Sequence, residues 1–141
     1  SEVFCQQSIV HSGFFCYNKH MIYGNGVDNI ELSRIETALA RNAKFAKRVL
    51  TDKELAKFMT LSGRRQIEFL GGRWAAKEAY AKAYGTGIGG HVSFQDLEVL
   101  PDQLGAPKFI RHPFSDRGVA HISISHSNLE AVAFVILESR E

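Results

Sequence analysis

The chain has 141 residues, of which 45% are hydrophobic and 23% are charged, and its formal net charge is +2. These values are typical of one globular domain with a buried core, and they exclude a largely disordered chain. The small net charge argues against a protein whose main task is to bind nucleic acid. A chain of this length is short for a catalytic cleft enclosed by one subunit, so a site shared between subunits is plausible.

The N-terminal segment, residues 1–20, differs from the rest of the chain. It holds both cysteines, Cys5 and Cys16, so no disulfide framework is expected, which favours a reducing, cytoplasmic location. It has no long hydrophobic stretch and no basic start, so it predicts neither a signal peptide nor a membrane span. We expect residues 1–20 to be an extension or a cloning remnant and residues 21–141 to form the functional domain.

The first predicted elements of that domain are a strand and two helices. Residues 22–28 are typical of a strand that ends at Asp28, and residues 31–42 carry apolar positions at helical spacing. Thr51 and Glu54 have the spacing of a capping box and begin the second helix. Its side chains that are expected to face inward are Leu55, Phe58 and Met59.

A long helix is predicted over residues 65–84, and Gly85 is expected to end it in the left-handed conformation. Its expected buried stripe is Ile67, Leu70 and Trp74. After this helix, segments rich in β-forming residues alternate with turn residues. The predicted strands are residues 93–100, 108–111, 121–125 and 131–138. Helices followed by strands, with one strand at the start, indicate an α+β fold.

Two stripes of the long helix carry charged side chains. Glu78 and Lys82 are four residues apart on one stripe, and Arg73 and Lys77 form a second stripe beside it. The following loop has four glycines within residues 85–90, so its backbone can approach a ligand and turn N–H groups towards an anion. This combination suits a phosphorylated substrate and a metal ion. The alternatives are a solvated surface pair and a simple helix cap.

Asp28 supplies a second carboxylate. Asp28 and Glu78, together with phosphate oxygens and water, satisfy the octahedral coordination of Mg²⁺. The alternative is that Asp28 caps the following helix. A further polar cluster at the end of a predicted strand includes Ser125 and His126, which offer a hydroxyl and an imidazole to a phosphate or a base edge. A structural histidine is the alternative there.

The segment of residues 34–48 is unusually basic, with Glu36 as its single acid. Its basic residues are Arg34, Arg41, Lys44, Lys47 and Arg48. An acidic partner can dock on such a surface. The alternative is an ordinary solvated helix face.

Several motifs follow one another along residues 21–141. They are Gly26-Val27-Asp28, the Arg-Trp-Ala-Ala-Lys-Glu-Ala run of residues 73–79, Gly85-Thr86-Gly87, Phe94-Gln95-Asp96, Gly105-x-Pro107 and Ser123-Ile124-Ser125-His126. This order resembles the holo-acyl-carrier-protein synthase family, the small bacterial phosphopantetheinyl transferases of fatty acid biosynthesis. The chain departs from the family pattern at Asn29, at Trp74 and at the Gly71-Gly72 pair.

The resemblance implies a 4′-phosphopantetheinyl transferase fold, with one long helix against an antiparallel sheet, and a homotrimer with sites between subunits. It implies that the 4′-phosphopantetheine arm of coenzyme A is transferred to a serine of apo acyl carrier protein, with release of adenosine 3′,5′-bisphosphate. By position, Asp28 and Glu78 hold Mg²⁺ and act in catalysis with Lys82. Glu78 deprotonates the serine directly or through a metal-bound water, and the sequence leaves both routes open.

The resemblance also assigns binding residues. Coenzyme contacts are expected at Arg65, Arg73, Lys77, Gly85, Thr86, Gly87, Ser125 and His126. The carrier protein is expected to dock on Arg34, Arg41, Lys44 and Arg48. No nucleic acid or membrane partner is expected. A catalytically silent coenzyme-binding module and a basic nucleic-acid-binding protein are the two alternative functions, and the joint presence of Asp28, Glu78 and Lys82 speaks against the first.

Overall fold

The computed structural model describes residues 6–10, 13–17 and 20–140, and within them it has the predicted α+β architecture. The strands are β1 (Gln6–Val10), β2 (Gly13–Tyr17), β3 (Met21–Glu31), β4 (Glu98–Pro101), β5 (Pro107–Arg111), β6 (Gly118–His126) and β7 (Glu130–Ser139). The helices are α1 (Leu32–Arg41), α2 (Phe45–Val49), α3 (Asp52–Met59) and α4 (Arg64–Tyr84), with 3₁₀ turns at Phe94–Asp96 and Pro113–Asp116.

The main sheet is antiparallel, with β7 between β3 and β6. Asp28 of β3 pairs with Ala133 of β7, which pairs on its other side with Ile124 of β6. Alternate side chains of β7 are buried and belong to one core with α4, because successive strand residues point to opposite faces. These buried residues are Ala131, Ala133, Val135 and Leu137. Helix α4 therefore packs on the inner face of the sheet. Among the described strands, β3 and β6 form the two edges of this sheet.

Two glycines of β3 bring this strand into direct contact with α4. A Cβ atom on Gly26 would collide with the carbonyl oxygen of Ala79, and one on Gly24 would collide with that of Ala83. Any larger residue would push the strand away from the helix, so these positions require glycine. The close contact holds Asp28, two residues after Gly26, beside the last turns of α4.

The Gly71-Gly72 pair has a related packing role inside α4. A Cβ atom on Gly71 would lie 2.7 Å from Leu32 Cδ2 of α1, and one on Gly72 would lie 3.3 Å from Ile124 Cγ2 of β6. Each glycine costs the helix about 1 kcal/mol relative to alanine. In return it lets α4 pack closely against α1 and β6.

Two predicted details are wrong. Met59 is 69% exposed, because the buried face of α3 is centred on Glu54 and Phe58 instead. The segment 93–100 is a strand only from Glu98, because Ser93 and Asp96 cap a 3₁₀ turn before it. The predicted stripe of α4 is fully buried at Leu70 and half-buried at Ile67 and Trp74.

The N-terminal strands β1 and β2 pair with each other in a separate two-stranded sheet. Residues 1–5, with Cys5 among them, and residues 11–12 and 18–19 lie outside the described residues. The assignment of residues 1–20 to an extension stays a prediction. Across the described ranges, no helix is both long and apolar enough to cross a bilayer.

Candidate active site

Asp28 and Lys82 meet where β3 packs against the last turns of α4. Lys82 Nζ donates hydrogen bonds to Asp28 Oδ1 and to the carbonyl oxygen of Val27, both at 3.0 Å. The Lys82 side chain is 51% exposed and that of Asp28 is 16% exposed, so the pair opens to solvent on the lysine side. Two residues 54 positions apart in the sequence are thus brought together.

Glu78 lies one helical turn before Lys82 and is half-buried. Burial raises the pKa of its carboxyl group, the charge of Asp28 raises it further, and Lys82 opposes both effects. The two carboxylates therefore repel each other, an arrangement that a bound cation relieves. They are the hard oxygen donors that Mg²⁺ takes from proteins, and they fit that ion. In the described part of the chain, no three acidic, histidine or cysteine side chains form a larger metal-binding group.

Arg65, Arg73 and His126 line one open cleft of about 330 Å³ beside α4 and the end of β6. Arg73 Nε donates to the carbonyl oxygen of Val99 at 3.3 Å, and its guanidinium carbon lies 4.1 Å from the centre of the Phe69 ring. These contacts fix Arg73, while Arg65 is exposed. Guanidinium groups with an imidazole form a lining suited to a phosphate.

Ser125 and His126 lie on opposite faces of β6, because strand residues alternate. His126 lines the cleft on the inner side, and its Nε2 lies 3.9 Å from Glu68 Oε2. Ser125 is exposed and pairs with Val132, away from α4. The two residues were expected to serve one ligand together, and within one chain the structure separates them.

The two clusters lie on opposite sides of α4. A helix turns by about 100° per residue, so Arg65 and Arg73 each lie about 140° around the axis from Glu78. Asp28 belongs to one edge strand of the sheet and His126 to the other. A single chain therefore carries the carboxylates and the basic cleft as two separated parts.

Lys77 does not reach the surface, so its predicted contact with the coenzyme is corrected. Its side chain is 0% exposed, and Nζ donates to Glu54 Oε1 at 2.6 Å and to the carbonyl oxygens of Val49 at 2.7 Å and Phe94 at 3.0 Å. Burial lowers the pKa of Lys77, and the charge of Glu54 opposes this. All three N–H donors are used inside the protein, so none is left for a phosphate.

Glu54 is the buried partner of Lys77, and the sequence did not predict this pairing. Besides Lys77, its carboxylate accepts from the backbone N–H groups of Thr51 and Val99, both at 2.8 Å. The Thr51 hydroxyl in turn donates to the buried Glu98. The capping-box spacing predicted the contact between Thr51 and Glu54, but this pattern is the same for a capping glutamate in solvent and for one in the core.

The glycine loop after α4 has a different role from the one expected. The N–H groups of Gly85, Thr86 and Gly87 all donate to the carbonyl oxygen of Ala81, at 3.0–3.2 Å. Gly85 and Gly87 adopt φ values of +100° and +70°, which L side chains rarely adopt. These N–H groups cap the helix C-terminus and do not turn towards an anion. Proximity of this loop to the coenzyme stays a prediction.

The basic segment forms a cleft between α1 and α2. Arg34, Arg41 and Arg48 line this opening of about 460 Å³. Lys44 is exposed at the start of α2 but is not part of the lining. Three of the four predicted docking residues therefore share one surface.

Known proteins place the chain in a family. Residues 24–136 match the sequence profile of the 4′-phosphopantetheinyl transferase superfamily. The chain belongs to this superfamily. The holo-[acyl-carrier-protein] synthase of Lactococcus lactis subsp. cremoris (strain SK11) is 58% identical over 119 residues, which cover 84% of this chain and 98% of that protein. The corresponding enzyme of Streptococcus sanguinis (strain SK36) is 56% identical over 121 residues, or 86% and 98% of the two chains.

A solved structure agrees with this family membership. The crystal structure of a holo-(acyl-carrier-protein) synthase from Bacillus anthracis str. Ames, in complex with CoA (3′,5′-ADP), is similar with a TM-score of 0.78. It is 52% identical, and the match covers 84% of this chain and 98% of that chain. The predicted family, fold class and phosphopantetheinyl transferase activity are therefore confirmed. The roles of the individual site residues stay predictions.

Proposed function

We propose that this protein transfers the 4′-phosphopantetheine arm of coenzyme A to a serine hydroxyl of apo acyl carrier protein, with Mg²⁺, and releases adenosine 3′,5′-bisphosphate. The serine oxygen bonds to the phosphorus that carries the pantetheine, and this phosphorus loses its bond to the adenosine bisphosphate. The convergence of Asp28, Glu78 and Lys82 at the contact of β3 with α4 carries this proposal. Fatty acid biosynthesis as the pathway and the cytoplasm as the compartment rest on the resemblance and on the cysteine usage.

In this site, Asp28 and Glu78 would hold the Mg²⁺ ion, which supplies charge neutralisation at the diphosphate when it is bound. Lys82 Nζ donates to Asp28 and is half exposed, so it is free to donate to a phosphate oxygen beside the carboxylates. Glu78 orients the serine hydroxyl and accepts its proton, either directly or through a water molecule. The contribution of Lys82 is electrostatic, because charge develops on the leaving group during transfer.

The cleft of Arg65, Arg73 and His126 takes the 3′-phosphate end of the coenzyme. The cleft has two guanidinium groups against one carboxylate, Glu68, which supports this assignment, and so does the CoA (3′,5′-ADP) complex of the Bacillus anthracis relative. Residues Gly85, Thr86 and Gly87 lie beside the coenzyme. Their N–H groups cap α4, so they contact the coenzyme through other backbone atoms or the Thr86 side chain.

A complete site takes its two parts from two protomers. The separation of the carboxylates and the basic cleft on opposite sides of α4 supports a ring in which one edge of each protomer meets the opposite edge of the next. The outer face of the sheet also supports contact between copies. It exposes the paired side chains of Val27 and Phe134, together with Val132, as an apolar surface. A homotrimer provides both the contact between opposite edges and a cover for the apolar surface.

The carrier protein docks through its acidic residues on the cleft between α1 and α2. Three exposed arginines, Arg34, Arg41 and Arg48, line this cleft, and Lys44 lies at the start of α2. Exposed charges act mainly on the association rate, and salt screens them over about 8 Å at physiological ionic strength.

Mass spectrometry of an apo carrier protein, incubated with the protein, coenzyme A and Mg²⁺, tests the function. We expect a mass gain of one phosphopantetheinyl group with the unaltered protein and with Asp52→Asn, a matched carboxylate-to-amide change on α3. We expect none with Asp28→Asn or Glu78→Gln. Unchanged transfer by either variant in the presence of EDTA would contradict the proposed metal pair.

Mixed oligomers test the shared site. Glu78→Gln removes one part of the site, and the Arg65→Ala/His126→Ala variant removes the other. If each site joins two protomers, refolding the two inactive variants together in equal amounts restores about a quarter of the sites, because each joins a random pair of neighbours. A mixture as inactive as its components would contradict a site shared between subunits.

A further inference from the structure

The docking surface proposed above depends on a very short helix. Helix α2 has five residues, Phe45–Val49, and helices of this length are not stable by themselves. The last carbonyl groups of any helix also lack partners within the helix. Something outside α2 must therefore hold it in position, together with Arg48.

Two side chains from other elements perform this task. Four consecutive carbonyl oxygens at the C-terminus of α2 accept hydrogen bonds from them. They belong to Lys47, Arg48, Val49 and Leu50. Gln95 Nε2 lies 2.9–3.1 Å from the first, second and fourth oxygens and shares its two N–H groups among them, and Lys77 Nζ lies 2.7 Å from the third. We call Gln95 and Lys77 the α2 clamp.

The α2 clamp is itself fixed to α4. Lys77 belongs to α4, immediately before Glu78, and it also donates to the carbonyl oxygen of Phe94. The Phe94 ring packs against Trp74 of α4, with 5.0 Å between ring centroids. The carbonyl oxygen of Gln95 accepts from Arg111 Nη2 at 2.7 Å. The α2 clamp thus fixes the position of α2 relative to α4, the helix that carries Glu78.

We propose that Gln95 is a positioning residue for the carrier protein, because it sets where Arg48 stands relative to Glu78. This inference rests on the proposed docking surface. A docked carrier brings its serine to the site only if the docking arginines and the catalytic carboxylate keep a fixed separation. Small misplacement is costly, since about 1 Å reduces a rate by up to about 100-fold.

The test variant is Gln95→Ala. Gln95 is exposed, so no cavity forms in the core. We expect kcat/KM for apo acyl carrier protein to fall roughly tenfold, while the KM for coenzyme A stays unchanged. The slope of kcat/KM against salt also stays unchanged, because every docking charge is retained. Gln95→Glu, which replaces the donor by an acceptor facing three carbonyl oxygens, should lose as much.

The chain offers a matched control in Gln66→Ala. Gln66 Nε2 donates to the carbonyl oxygen of Phe58 at 3.1 Å, near the C-terminus of α3, so the same bond type is lost away from α2. We expect kcat/KM for the carrier to stay within twofold of the unaltered protein. Equal losses in Gln66→Ala and Gln95→Ala would overturn the positioning role.

Arg48→Glu separates this inference from the proposed function. We expect it to raise the KM for the carrier and to flatten the salt dependence. If Arg48→Glu has this effect and Gln95→Ala has none, the positioning role of Gln95 is wrong and the docking surface stands. If Arg48→Glu has no effect, the docking surface itself is wrong.

Discussion

Helix α4 carries two lysines that each pair with a carboxylate of another element, one in the core and one at the surface. Lys77 pairs with Glu54 at 2.6 Å with neither side chain exposed, whereas Lys82 pairs with Asp28 at 3.0 Å and is 51% exposed. Both lysines lie on α4, five residues apart. The first lysine faces α2 and α3, and the second faces the open edge of β3.

The difference shows what decides the role of a charged side chain. Three internal acceptors surround the Lys77 ammonium, so it ties elements together and has no donor for a substrate. The Lys82 ammonium has two protein acceptors and solvent access, so one donor remains for a ligand. A buried pair is strongly coupled to folding, whereas an exposed pair contributes little to stability.

The largest expected effect on folding comes from breaking the buried pair. Lys77→Met removes one partner and leaves the Glu54 carboxylate uncompensated in the core, which costs about 3–5 kcal/mol of unfolding free energy. Urea denaturation measures this loss. A decrease below about 1 kcal/mol would mean that the pair is not buried as described.

The same substitution at the exposed pair separates stability from catalysis. Lys82→Met should change the unfolding free energy by less than about 1 kcal/mol, because the pair is solvated. It should lower kcat by about 10²–10³, the effect of losing one preorganised electrostatic partner. Steady-state kinetics with an apo carrier protein check this. If only the KM for coenzyme A changed, Lys82 would be a simple binding contact.

A buried but neutral contact of α4 sharpens the comparison and has the smallest expected effect. The Tyr80 hydroxyl accepts from the backbone N–H of Phe114 at 2.9 Å and lies within hydrogen-bond distance of His112 Nδ1, at 3.0 Å. Burial lowers the pKa of His112 from its usual 6.5. The unfolded chain therefore binds this proton at a higher pH than the folded protein does.

Stability from neutral His112 is thus complete above about pH 6.5 and is lost as the pH falls below it towards the lowered pKa. The slope for one such group does not exceed about 1.4 kcal/mol per pH unit. Urea denaturation between about pH 7.5 and pH 5, where histidine titrates, measures this loss of stability. The same measurement on His112→Phe is the comparison. Identical pH profiles for both proteins would show that His112 takes up its proton equally in both states.

The sequence was sufficient for the residues whose pairing follows from strand and helix order. Asp28 ends the predicted part of the first strand, and Glu78 and Lys82 share one stripe of a strongly predicted helix, so their meeting required only that β3 pack on α4. Gly26 makes that packing close, but spacing alone does not reveal which helix a glycine faces.

The sequence was insufficient where the outcome depends on tertiary neighbours. The stripe of Arg73 and Lys77 looked like a solvent or ligand face, yet α2, α3 and the 3₁₀ turn at Phe94–Asp96 cover Lys77 completely. The glycine loop has the composition of an anion cradle, yet the N–H groups of Gly85, Thr86 and Gly87 donate to the end of α4. Gln95 stood in a recognised motif, but its partners are 45–48 residues away and carry no local signal.

The single-turnover rate of phosphopantetheinyl transfer by Lys77→Met tests the division between the two lysines most directly. The rate is measured with saturating coenzyme A and carrier protein, under conditions where the variant is folded, and is divided by the folded fraction. We expect it to stay within about tenfold of the unaltered protein, well above the 10²–10³ loss expected for Lys82→Met. A loss of 10² or more in folded Lys77→Met would contradict the account, because the buried lysine would then matter to the transfer step as much as the exposed one.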